Sequence, residues 1–486
     1  MKTNATFFLQ LGNSPFDEQQ IKQNLRLENG FVIKQNSIQL LLEQQTQVII
    51  TKQFTFAFVG KIFNQNLLND TFEISKVEEL KGTFALFIFN EKTLYFFLSL
   101  DGKIPAYLVR ENNHIFITSQ FAAFRKTDLI NRSMVPIESY QYTYTENVTQ
   151  KFSLFQNTEK IIPGILYEFS LDENSTQYKT STFKSISATT QTHEKEKASQ
   201  QLFHLLEDEI KQNAITEMPV AVALSGGVDS GTVLGFLSRC NKNVHSFSIG
   251  TTFGNEYESA RISAVFSNST HHEIFIDDAD FWEGFLHSVF HNELCDPLYA
   301  EGYVAFFHFF KQASTYTSTF FTGYGADLVL GNIQHLTNEQ DYKTINTNWC
   351  KRTSWTGELS PFVANSFNSQ LHFPFWNEAM LNFGLSLPFS FIQEEERTKF
   401  LLRTMSANHQ LTLPKIAWNT KIALTHGVSL DKLFSKVLNI PNENSYQFKS
   451  IFLYYLLEEF FIKDKEISDI DLVYLIQKTR NYVDKK

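Results

Sequence analysis

A glycine loop at residues 225–230, with the sequence SGGVDS, limits the folds open to this chain more than any other segment. Apolar residues 220–224 before the loop predict a buried strand, and residues 231–237 after it have the spacing of a helix. Two glycines let the backbone approach an anion closely, and the N–H groups at a helix start supply donors and a favourable dipole. The sequence therefore predicts a phosphate-binding turn between a strand and a helix.

The residue types in this loop differ from those of a Walker loop, which has a lysine followed by Ser or Thr after its last glycine. Asp229 occupies that place instead. Phosphate repels a carboxylate unless Mg²⁺ lies between them, so the loop indicates a magnesium-bound phosphate. The competing interpretation is a tight strand-to-helix turn in which Asp229 is an ordinary residue of the first helical turn.

Strand-like runs alternate with helical ones after the loop, at residues 244–249, 260–266 and 272–276. This alternation predicts a parallel sheet with helices on both faces. From about residue 375 the pattern is mainly helical. The predicted breaks between these helices are at Pro388, Pro414 and Pro441.

Residues 3–170 consist instead of short apolar runs separated by Asn, Asp, Gly and Glu, which predicts strands and turns. The segment 180–200 is rich in Ser, Thr, Lys and Glu and has almost no core-forming residue, which predicts a linker. We therefore expect an α/β protein with a β-rich domain at 1–180, a linker at 181–200 and a second domain at 201–486.

The composition argues against several classes of partner. Lys and Arg number 42 against 52 Asp and Glu, and a net charge of −10 disfavours binding to nucleic acid. The three cysteines, Cys240, Cys295 and Cys350, fit neither a disulfide framework nor a four-thiolate metal site. The first residues lack the pattern of a signal peptide. The sequence also contains no run of about 18 apolar residues, the length that crosses a membrane. These features predict a cytoplasmic protein that binds no nucleic acid and no membrane.

The SGGVDS loop resembles the SGGxDS motif of the asparagine synthetase family of pyrophosphatase-loop (PP-loop) enzymes, and the resemblance extends over nearly the whole chain. It implies an Ntn-type glutamine amidotransferase-like sandwich followed by an adenine nucleotide alpha hydrolase-like parallel-sheet domain with a helical end. ATP and Mg²⁺ are the implied cofactors, with Asp229 and Asp327 as the metal ligands. The implied ATP-binding residues are Leu224, Ser225, Gly226, Gly227, Asp229, Ser230, Ile249, Gly323, Lys399 and Lys421.

The first domain lacks the residue that glutamine-dependent members of this family need. They attack glutamine with a cysteine exposed directly after the initiator methionine, and Lys2 stands in that position. Residues 82–85 and 101–107, GTFA and DGKIPAY, still resemble the family. We therefore expect a retained scaffold without glutaminase activity, so that the nitrogen nucleophile must come with the substrate.

Residues 320–327, FFTGYGAD, resemble the β-lactam-forming branch of the family, the β-lactam and carbapenam synthetases. Ordinary asparagine synthetases carry a small or acidic residue where Tyr324 stands. Residues 355–358, WTGE, also resemble this branch, and they are nearer to carbapenam synthetase. The resemblance implies three catalytic residues, Tyr324, Glu358 and Lys421. The residues that we expect to line the substrate pocket are Tyr299, Glu301 and Gly325.

The chemistry of ring closure explains the need for a phenol and a carboxylate. An amine with a pKa well above 7 is protonated and cannot attack an acyl-adenylate until the proton is removed. A phenol with a pKa of about 10 suits this task if a carboxylate holds its proton and a cation stabilises the phenolate. The alternatives are an ordinary aromatic in a turn for Tyr324, a solvated loop carboxylate for Glu358 and a helix N-cap for Asp327.

Two lysines are candidates for neutralising pyrophosphate and the oxyanion of a tetrahedral intermediate. Lys399 lies in a segment that resembles the family's helical KxxLR, and Lys421 stands where the family has its catalytic lysine. The alternative for both is a solvated surface lysine. The neighbouring residues depart from the family pattern at Thr420, at 425–427 and at 331–332, and these departures bear on the identity of the substrate.

We therefore expect an ATP- and Mg²⁺-dependent ligase that joins a carboxylate and an amine of one small amino-acid substrate into a β-lactam. The resemblance implies carboxymethylproline as the substrate, with a carboxyethyl amino acid as the next candidate. The alternatives are macrolactam closure as in lasso-peptide cyclases, an ammonia-dependent asparagine synthetase and a non-catalytic ATP-binding scaffold. The sequence leaves the oligomeric state open, including a homo-oligomer.

Overall fold

The computed structural model describes all residues except 1–4, 13, 28, 45, 112, 141–150, 172–176, 189–193, 215–216, 332–338, 355, 395–396, 420–427, 442–444 and 486. Among the described residues, no helix is both long enough and apolar enough to cross a membrane.

The N-terminal region forms two six-stranded antiparallel sheets. Its elements are β1 (Phe7–Leu11), α1 (Glu18–Leu25), β2 (Phe31–Gln35), β3 (Ile38–Leu42), β4 (Gln47–Ile50), β5 (Thr55–Ile62), β6 (Gly82–Phe89), β7 (Thr93–Leu98), β8 (Tyr107–Glu111), β9 (His114–Thr118), β10 (Thr158–Lys160), β11 (Ile165–Ser170) and β12 (Tyr178–Thr182). The strand orders are β10-β8-β9-β1-β3-β2 and β12-β11-β7-β6-β5-β4.

The inner faces of these two sheets share one core, as expected for a sandwich. Phe7 of β1 packs edge-on against Phe87 of β6, with ring centroids 5.2 Å apart. Side chains alternate between the faces of a strand, so Phe8 points to the other side. There Phe8 belongs to a second core that includes Phe281 and Phe461 from the C-terminal part of the chain. The expected sandwich is confirmed, and its outer face is covered by the following domain.

The second domain contains a parallel sheet with helices around it. Its elements are α2 (Lys195–Asn213), β13 (Val220–Ala223), α3 (Val228–Cys240), β14 (Val244–Thr251), β15 (Gly254–Asn255), α4 (Tyr257–Phe266), β16 (Thr270–Ile276), α5 (Asp278–Asn292), α6 (Pro297–Ala313), β17 (Thr319–Thr322), α7 (Ala326–Leu330), α8 (Glu339–Thr353), α9 (Phe362–Ser366) and β18 (Gln370–His372).

The parallel strands are ordered β16-β14-β13-β17-β18, and the short β15 pairs antiparallel with the end of β14. Alternate residues of β13 enter different cores: Val220 and Val222 lie in one, and Ala221 lies in the other. Both faces of the sheet are therefore covered, which confirms the α/β prediction.

The chain ends in helices, also as predicted. The elements are α10 (Glu378–Ser386), α11 (Phe389–Ile392), β19 (Gln393–Glu394), β20 (Arg397–Thr398), α12 (Phe400–Asn408), α13 (Pro414–Ala417), α14 (Leu430–Leu438), α15 (Ser445–Phe461) and α16 (Leu472–Val483). Pro388 immediately precedes α11, Pro414 is the first residue of α13 and Pro441 follows α14. Proline is tolerated at a helix start because the missing N–H would have no partner within the helix.

The segment 181–200, predicted to be a linker, contains the end of β12 and the first turns of α2. Ile186 within it is buried in the same core as Val220. The domain boundaries themselves stay a prediction.

Hydrogen bonds tie the two domains together. Trp376 donates its indole N–H to the backbone oxygen of Asp101 at 2.8 Å. The carboxylate of Glu293 accepts the backbone N–H groups of Phe121 and Ala122 at 3.0 and 2.8 Å. These contacts join the sandwich to the chain before and after the segment that carries Tyr324 and Glu358.

Candidate active site

The glycine loop lies between the end of β13 and the start of α3, where the sequence predicts it. Gly226 has a φ of +68°, and a Cβ there would lie 2.4 Å from the Cβ of Ser259. Gly227 is the N-cap of α3 and has no side chain to accept the first N–H groups of the helix, so these donors suit an anion. The hydroxyl of Ser230 accepts the N–H of Ser225 at 3.1 Å and closes the loop.

The turn after β17 packs directly on the start of α3. A Cβ at Gly323 would lie 2.6 Å from the nitrogen of Ser230 and 2.8 Å from the carbonyl carbon of Asp229. Such distances are too short for any side chain, so this approach needs glycine. Because β13 and β17 are adjacent parallel strands, their carboxyl ends meet at one edge of the sheet. Residues 323–327 therefore lie beside the phosphate loop.

Lys399 joins the two predicted metal ligands. Its Nζ donates to Oδ2 of Asp229 at 2.7 Å and also to Asp327. Burial alone would lower the pKa of Lys399, but the charges and hydrogen bonds of the two carboxylates raise this pKa above its ordinary value. The ammonium is therefore charged and offsets one of the two negative charges. Lys399 also has a φ of +59°, a conformation that costs a non-glycine residue about 1 kcal/mol.

Asp229 retains one carboxylate oxygen for a further partner. Oδ1 is buried and has no hydrogen-bond partner among the described residues, whereas Oδ2 binds Lys399. A buried acceptor left without a partner is destabilising, and a hard cation prefers such oxygens as ligands. Asp229 and Asp327 therefore fit Mg²⁺, and their role as its ligands stays a prediction.

Tyr324 and Glu358 are in direct contact. The phenol of Tyr324 donates to Oε2 of Glu358, and the hydroxyl of Thr356 donates to Oε1 at 3.0 Å. Burial raises the pKa of Glu358 to about 7, although the hydrogen bonds oppose this shift. Burial and the charge of Glu358 raise the pKa of Tyr324 well above 10. The phenol therefore keeps its proton, next to a carboxylate that ionises near neutral pH.

Tyr299, one of the expected substrate residues, lies in the first turn of α6. Burial and then the charge of Glu358 raise the pKa of Tyr299 well above 10. Gly325, another expected substrate residue, has a φ of +98°, and a Cβ there would lie 3.2 Å from the Cβ of Trp376. The turn 323–325 is therefore packed against α3 at Gly323 and against Trp376 at Gly325, with Tyr324 between these two contacts.

Glu301, the third of these residues, has a different neighbour. Nζ of Lys449 donates to its carboxylate at 2.9 Å, and both side chains are almost fully buried. Burial raises the pKa of Glu301 to about 7, and the charge of Lys449 opposes the shift. This pair joins α6 to α15, so the observed contacts of Glu301 are structural, and its substrate role stays a prediction.

Leu224 and Ile249 lie near the carboxyl ends of β13 and β14, on the side of the sheet where the glycine loop follows β13. The N–H of Leu224 donates to the carbonyl of Phe247 at 2.7 Å, and Ile249 pairs with Ile274 of β16. Their part in ATP binding stays a prediction. Other residues singled out in the sequence lie outside the described residues: Lys2, Asn332, Trp355, Thr420 and Lys421.

The sequence did not predict the contacts among Arg352, Asp296 and Tyr446. Nη2 of Arg352 donates to Oδ2 of Asp296 at 2.6 Å, and the phenol of Tyr446 donates to the same oxygen at 3.3 Å. The available signal was weak: Asp296 precedes Pro297 in the pattern of a helix N-cap, and Arg352 lies shortly before Glu358. Neither pattern by itself indicates a site.

Comparisons with known proteins agree with this architecture. The asparagine synthase family model matches residues 201–361, and the glutamine amidotransferase domain model matches residues 71–181. Carboxyethyl-arginine beta-lactam-synthase of Streptomyces clavuligerus is 24% identical over 251 residues, which are 49% of this chain and 49% of that protein. Glutamine-hydrolyzing asparagine synthetase 1 of Bacillus subtilis is 24% identical over 260 residues, 52% of this chain and 40% of that protein.

The matched segments thus span about half of these relatives or less. Among solved structures, NMN synthetase from Francisella tularensis aligns with 58% of this chain and 98% of its own at 12% identity, with a TM-score of 0.25, which supports no conclusion. The two family models match consecutive parts of the chain, in the order in which the sandwich and the parallel sheet occur. Residues 201–361 of this chain are therefore similar to the asparagine synthase family, and residues 71–181 before them are similar to a glutamine amidotransferase domain.

Proposed function

We propose that this protein is an ATP-dependent, AMP-forming ligase that closes a lactam within one small amino-acid substrate. The observation that carries the proposal is the hydrogen bond from Tyr324 to Glu358 beside the phosphate loop. Adenylation of a carboxylate does not require a base for an amine, whereas ring closure does. The similarity of half the chain to a carboxyethyl-arginine beta-lactam-synthase supports the same reaction class.

The first half-reaction is activation of the substrate carboxylate. A carboxylate oxygen attacks the α-phosphorus of ATP, the acyl-adenylate forms and pyrophosphate leaves. Residues 225–230 and the first N–H groups of α3 would bind the departing pyrophosphate, and Lys399 would offset part of its charge. Mg²⁺ held by Asp229 and Asp327 would neutralise phosphate oxygens.

The second half-reaction is ring closure. The substrate ammonium gives a proton to the oxygen of Tyr324 as the phenol passes its own proton to Oε2 of Glu358. The free amine then attacks the acyl carbon, a second N–H proton passes to a phosphate oxygen of the leaving group, and AMP leaves. A pKa of about 7 makes Glu358 a suitable acceptor at neutral pH. Lys421 is the proposed cation for the oxyanion of the tetrahedral intermediate.

Positioning contributes to the closure of a strained ring. Holding the acyl-adenylate and the amine of one molecule in a single pocket replaces a bimolecular encounter with an intramolecular step, which lowers the barrier. The turn that carries Tyr324 is fixed by the approach of Gly323 to α3, so the base stays next to the loop that binds the nucleotide.

The sandwich domain has a structural role in this proposal. The attacking amine belongs to the substrate in this reaction, so ring closure does not need ammonia from glutamine hydrolysis. The hydrogen bond from Trp376 to Asp101 supports a scaffold function, because it holds the segment next to Gly325 against the sandwich.

ATP–pyrophosphate exchange across a panel of β-amino acids and peptides tests the proposal, with mass spectrometry of the products. We expect exchange and a product lighter by one water with a substrate such as carboxymethylproline or a carboxyethyl amino acid. Ammonium incorporated into the product would replace the proposal with an asparagine synthetase reaction, and a cyclised peptide would replace it with macrolactam formation. ATP binding without exchange would indicate a scaffold.

A further inference from the structure

Arg403 lies in α12 one turn after Lys399, and its side chain turns back to the residue before that lysine. The guanidinium Nε donates to the carbonyl of Thr398 at 2.8 Å. Its Nη1 donates to the carbonyls of Ala417, the last residue of α13, and of Asn419, at 2.5 and 3.1 Å. Arg403 is 8% exposed. A buried cation therefore joins three backbone carbonyls from two separate segments.

The two peptide groups that flank the Cα of Lys399 both bond to Arg403. The peptide before this Cα offers the carbonyl of Thr398 to Nε. The peptide after it offers the carbonyl of Lys399 to the backbone N–H of Arg403 at 3.0 Å. Because a peptide group is planar, the orientations of these two groups define φ and ψ of Lys399. One residue thus fixes the direction in which the side chain of Lys399 leaves the backbone.

Lysine does not adopt this backbone conformation readily. The φ of Lys399 is +59°, in the left-handed region, and a non-glycine residue stays there when its surroundings hold it in place. Lys399 is also the N-cap of α12 and has no side-chain capping bond to stabilise that position. The hydrogen bonds of Arg403 supply the constraint. Without them Lys399 can relax to a negative φ, which turns its Nζ away from Asp229 and Asp327.

The guanidinium acts on the candidate site through this lysine. Among the described residues, every hydrogen-bond acceptor of the Arg403 side chain is a backbone carbonyl, whereas Nζ of Lys399 donates to Asp229 and Asp327. The planar fork of a guanidinium carries donors that point in different directions, so one side chain can hold Thr398 and the end of α13 together. A single ammonium could not reproduce this geometry.

We infer that Arg403 is a positioning residue that holds Lys399 in the conformation in which its ammonium bonds to Asp229 and Asp327. The end of α13 fixes the guanidinium, and the guanidinium fixes Lys399. This inference rests on the proposed ligase function, in which Lys399 offsets part of the charge of the departing pyrophosphate, and it adds the residue on which the placement of that cation depends.

Two substitutions in the full chain separate the hydrogen bond to Thr398 from the charge. Arg403→Gln has an amide nitrogen where Nε stands, so it keeps a donor for Thr398 and loses the charge. Arg403→Lys keeps the charge and loses that donor, because a methylene stands there. In crystal structures without nucleotide, we expect Nζ of Lys399 beyond hydrogen-bond distance of Asp229 in Arg403→Lys and within it in Arg403→Gln. Lys399 still bonded to both carboxylates in Arg403→Lys would overturn the inference.

ATP–pyrophosphate exchange gives a second readout. In Arg403→Lys the KM for pyrophosphate should rise about tenfold or more, because the cation that binds it is displaced, while the KM for the carboxylate substrate stays within about twofold. In the Lys399→Met background the same substitution should add little, since the group that it displaces is absent. Equal rises in both KM values, or a full effect in that background, would indicate a general loss of structure and overturn the inference.

Arg480 offers a matched control. Its Nη2 donates to the carbonyls of Leu438 and Asn439 at 3.2 and 3.0 Å, so it also joins a helix to the end of another helix, here α16 to α14. Arg480→Lys should leave both KM values unchanged. Urea denaturation of Arg403→Lys and Arg480→Lys shows that both variants are folded under the conditions of the assay.

The crystal structures and the exchange assay separate this inference from the proposed function. Displacement of Lys399 in Arg403→Lys, together with a wild type that catalyses no exchange, would keep the positioning role and overturn the ligase reaction. Exchange by the wild type, together with an undisplaced Lys399 in Arg403→Lys, would keep the ligase reaction and overturn the positioning role.

Discussion

The phenol of Tyr324 donates its hydrogen bond to the carboxylate of Glu358, although the two residues lie 34 positions apart in the chain. The turn after β17 supplies one partner, and the segment after α8 supplies the other. Thr356 fixes the second carboxylate oxygen at 3.0 Å. The close approach of Gly323 to α3 places this pair next to the phosphate loop, so the groups for activation and for proton transfer share one site.

Removing the phenol hydroxyl should separate the two half-reactions. We expect Tyr324→Phe to slow lactam formation by about 100-fold or more, because the proton acceptor for the amine is lost. ATP–pyrophosphate exchange should stay within about twofold of the wild type, since activation does not use this group. Tyr474→Phe, at an exposed tyrosine, is the matched control for both rates. Lactam formation at the wild-type rate in Tyr324→Phe would show that the phenol is not the base.

The pH dependence of lactam formation should report the pKa of Glu358, which burial raises to about 7. Tyr324 can pass its proton only to the ionised carboxylate, so the rate should rise with pH through about 7 and then level off. Glu358→Gln cannot accept a proton and should both lower the rate and abolish this rise. Lactam formation measured from about pH 5 to 9 checks the prediction, and a rise that persists in Glu358→Gln would contradict it.

Lys399 should be needed for stability in the absence of nucleotide. Lys399→Met leaves the buried carboxylate of Asp229 without its cation, a change that typically costs about 3–5 kcal/mol. Mg²⁺ with ATP should restore part of this loss if the freed oxygens bind the metal. Urea denaturation with and without Mg²⁺-ATP measures both effects. Lys311→Met, which breaks the exposed pair with Glu283, is the control and should change stability by less than about 1 kcal/mol.

The burial of Glu293 against the sandwich should make stability fall as the pH rises. Burial raises the pKa of Glu293 to about 7, although hydrogen bonds from Ala122 and Phe121 oppose the shift. Because the folded-state pKa exceeds the ordinary value of 4.5, the stabilising contribution is complete below about pH 4.5 and is lost as the pH rises through about 7. The side chain in Glu293→Gln stays neutral at every pH in this range. The free energy of unfolding should therefore fall less in the variant than in the wild type, and the two falls should differ by up to about 3 kcal/mol.

Urea denaturation at several pH values measures this difference. Part of the pH dependence should remain in Glu293→Gln, because burial also raises the pKa of Glu301 and Glu358 to about 7. Glu283→Gln, at a carboxylate paired with exposed Lys311, should follow the wild type. A pH profile of Glu293→Gln identical to that of the wild type would contradict the prediction.

Local patterns were sufficient to predict the strand, glycine loop and helix around Asp229, the alternating strands and helices after them, and the β-rich first half. Hydrophobic spacing and glycine positions act over a few residues, so they can be recognised without knowledge of the rest of the fold. The contact between Tyr324 and Glu358 was expected from family resemblance, since their separation in the chain carries no signal of its own.

Tertiary packing added the contacts that no local pattern contains. Lys399 meets Asp229 and Asp327 because α12 packs near the carboxyl ends of two strands, and Arg352 meets Asp296 because three helix ends converge. The same packing paired Glu301 with Lys449. An ion pair depends on the distance between charges in space, and residues far apart in a chain come within a few ångströms only after their helices and strands have packed.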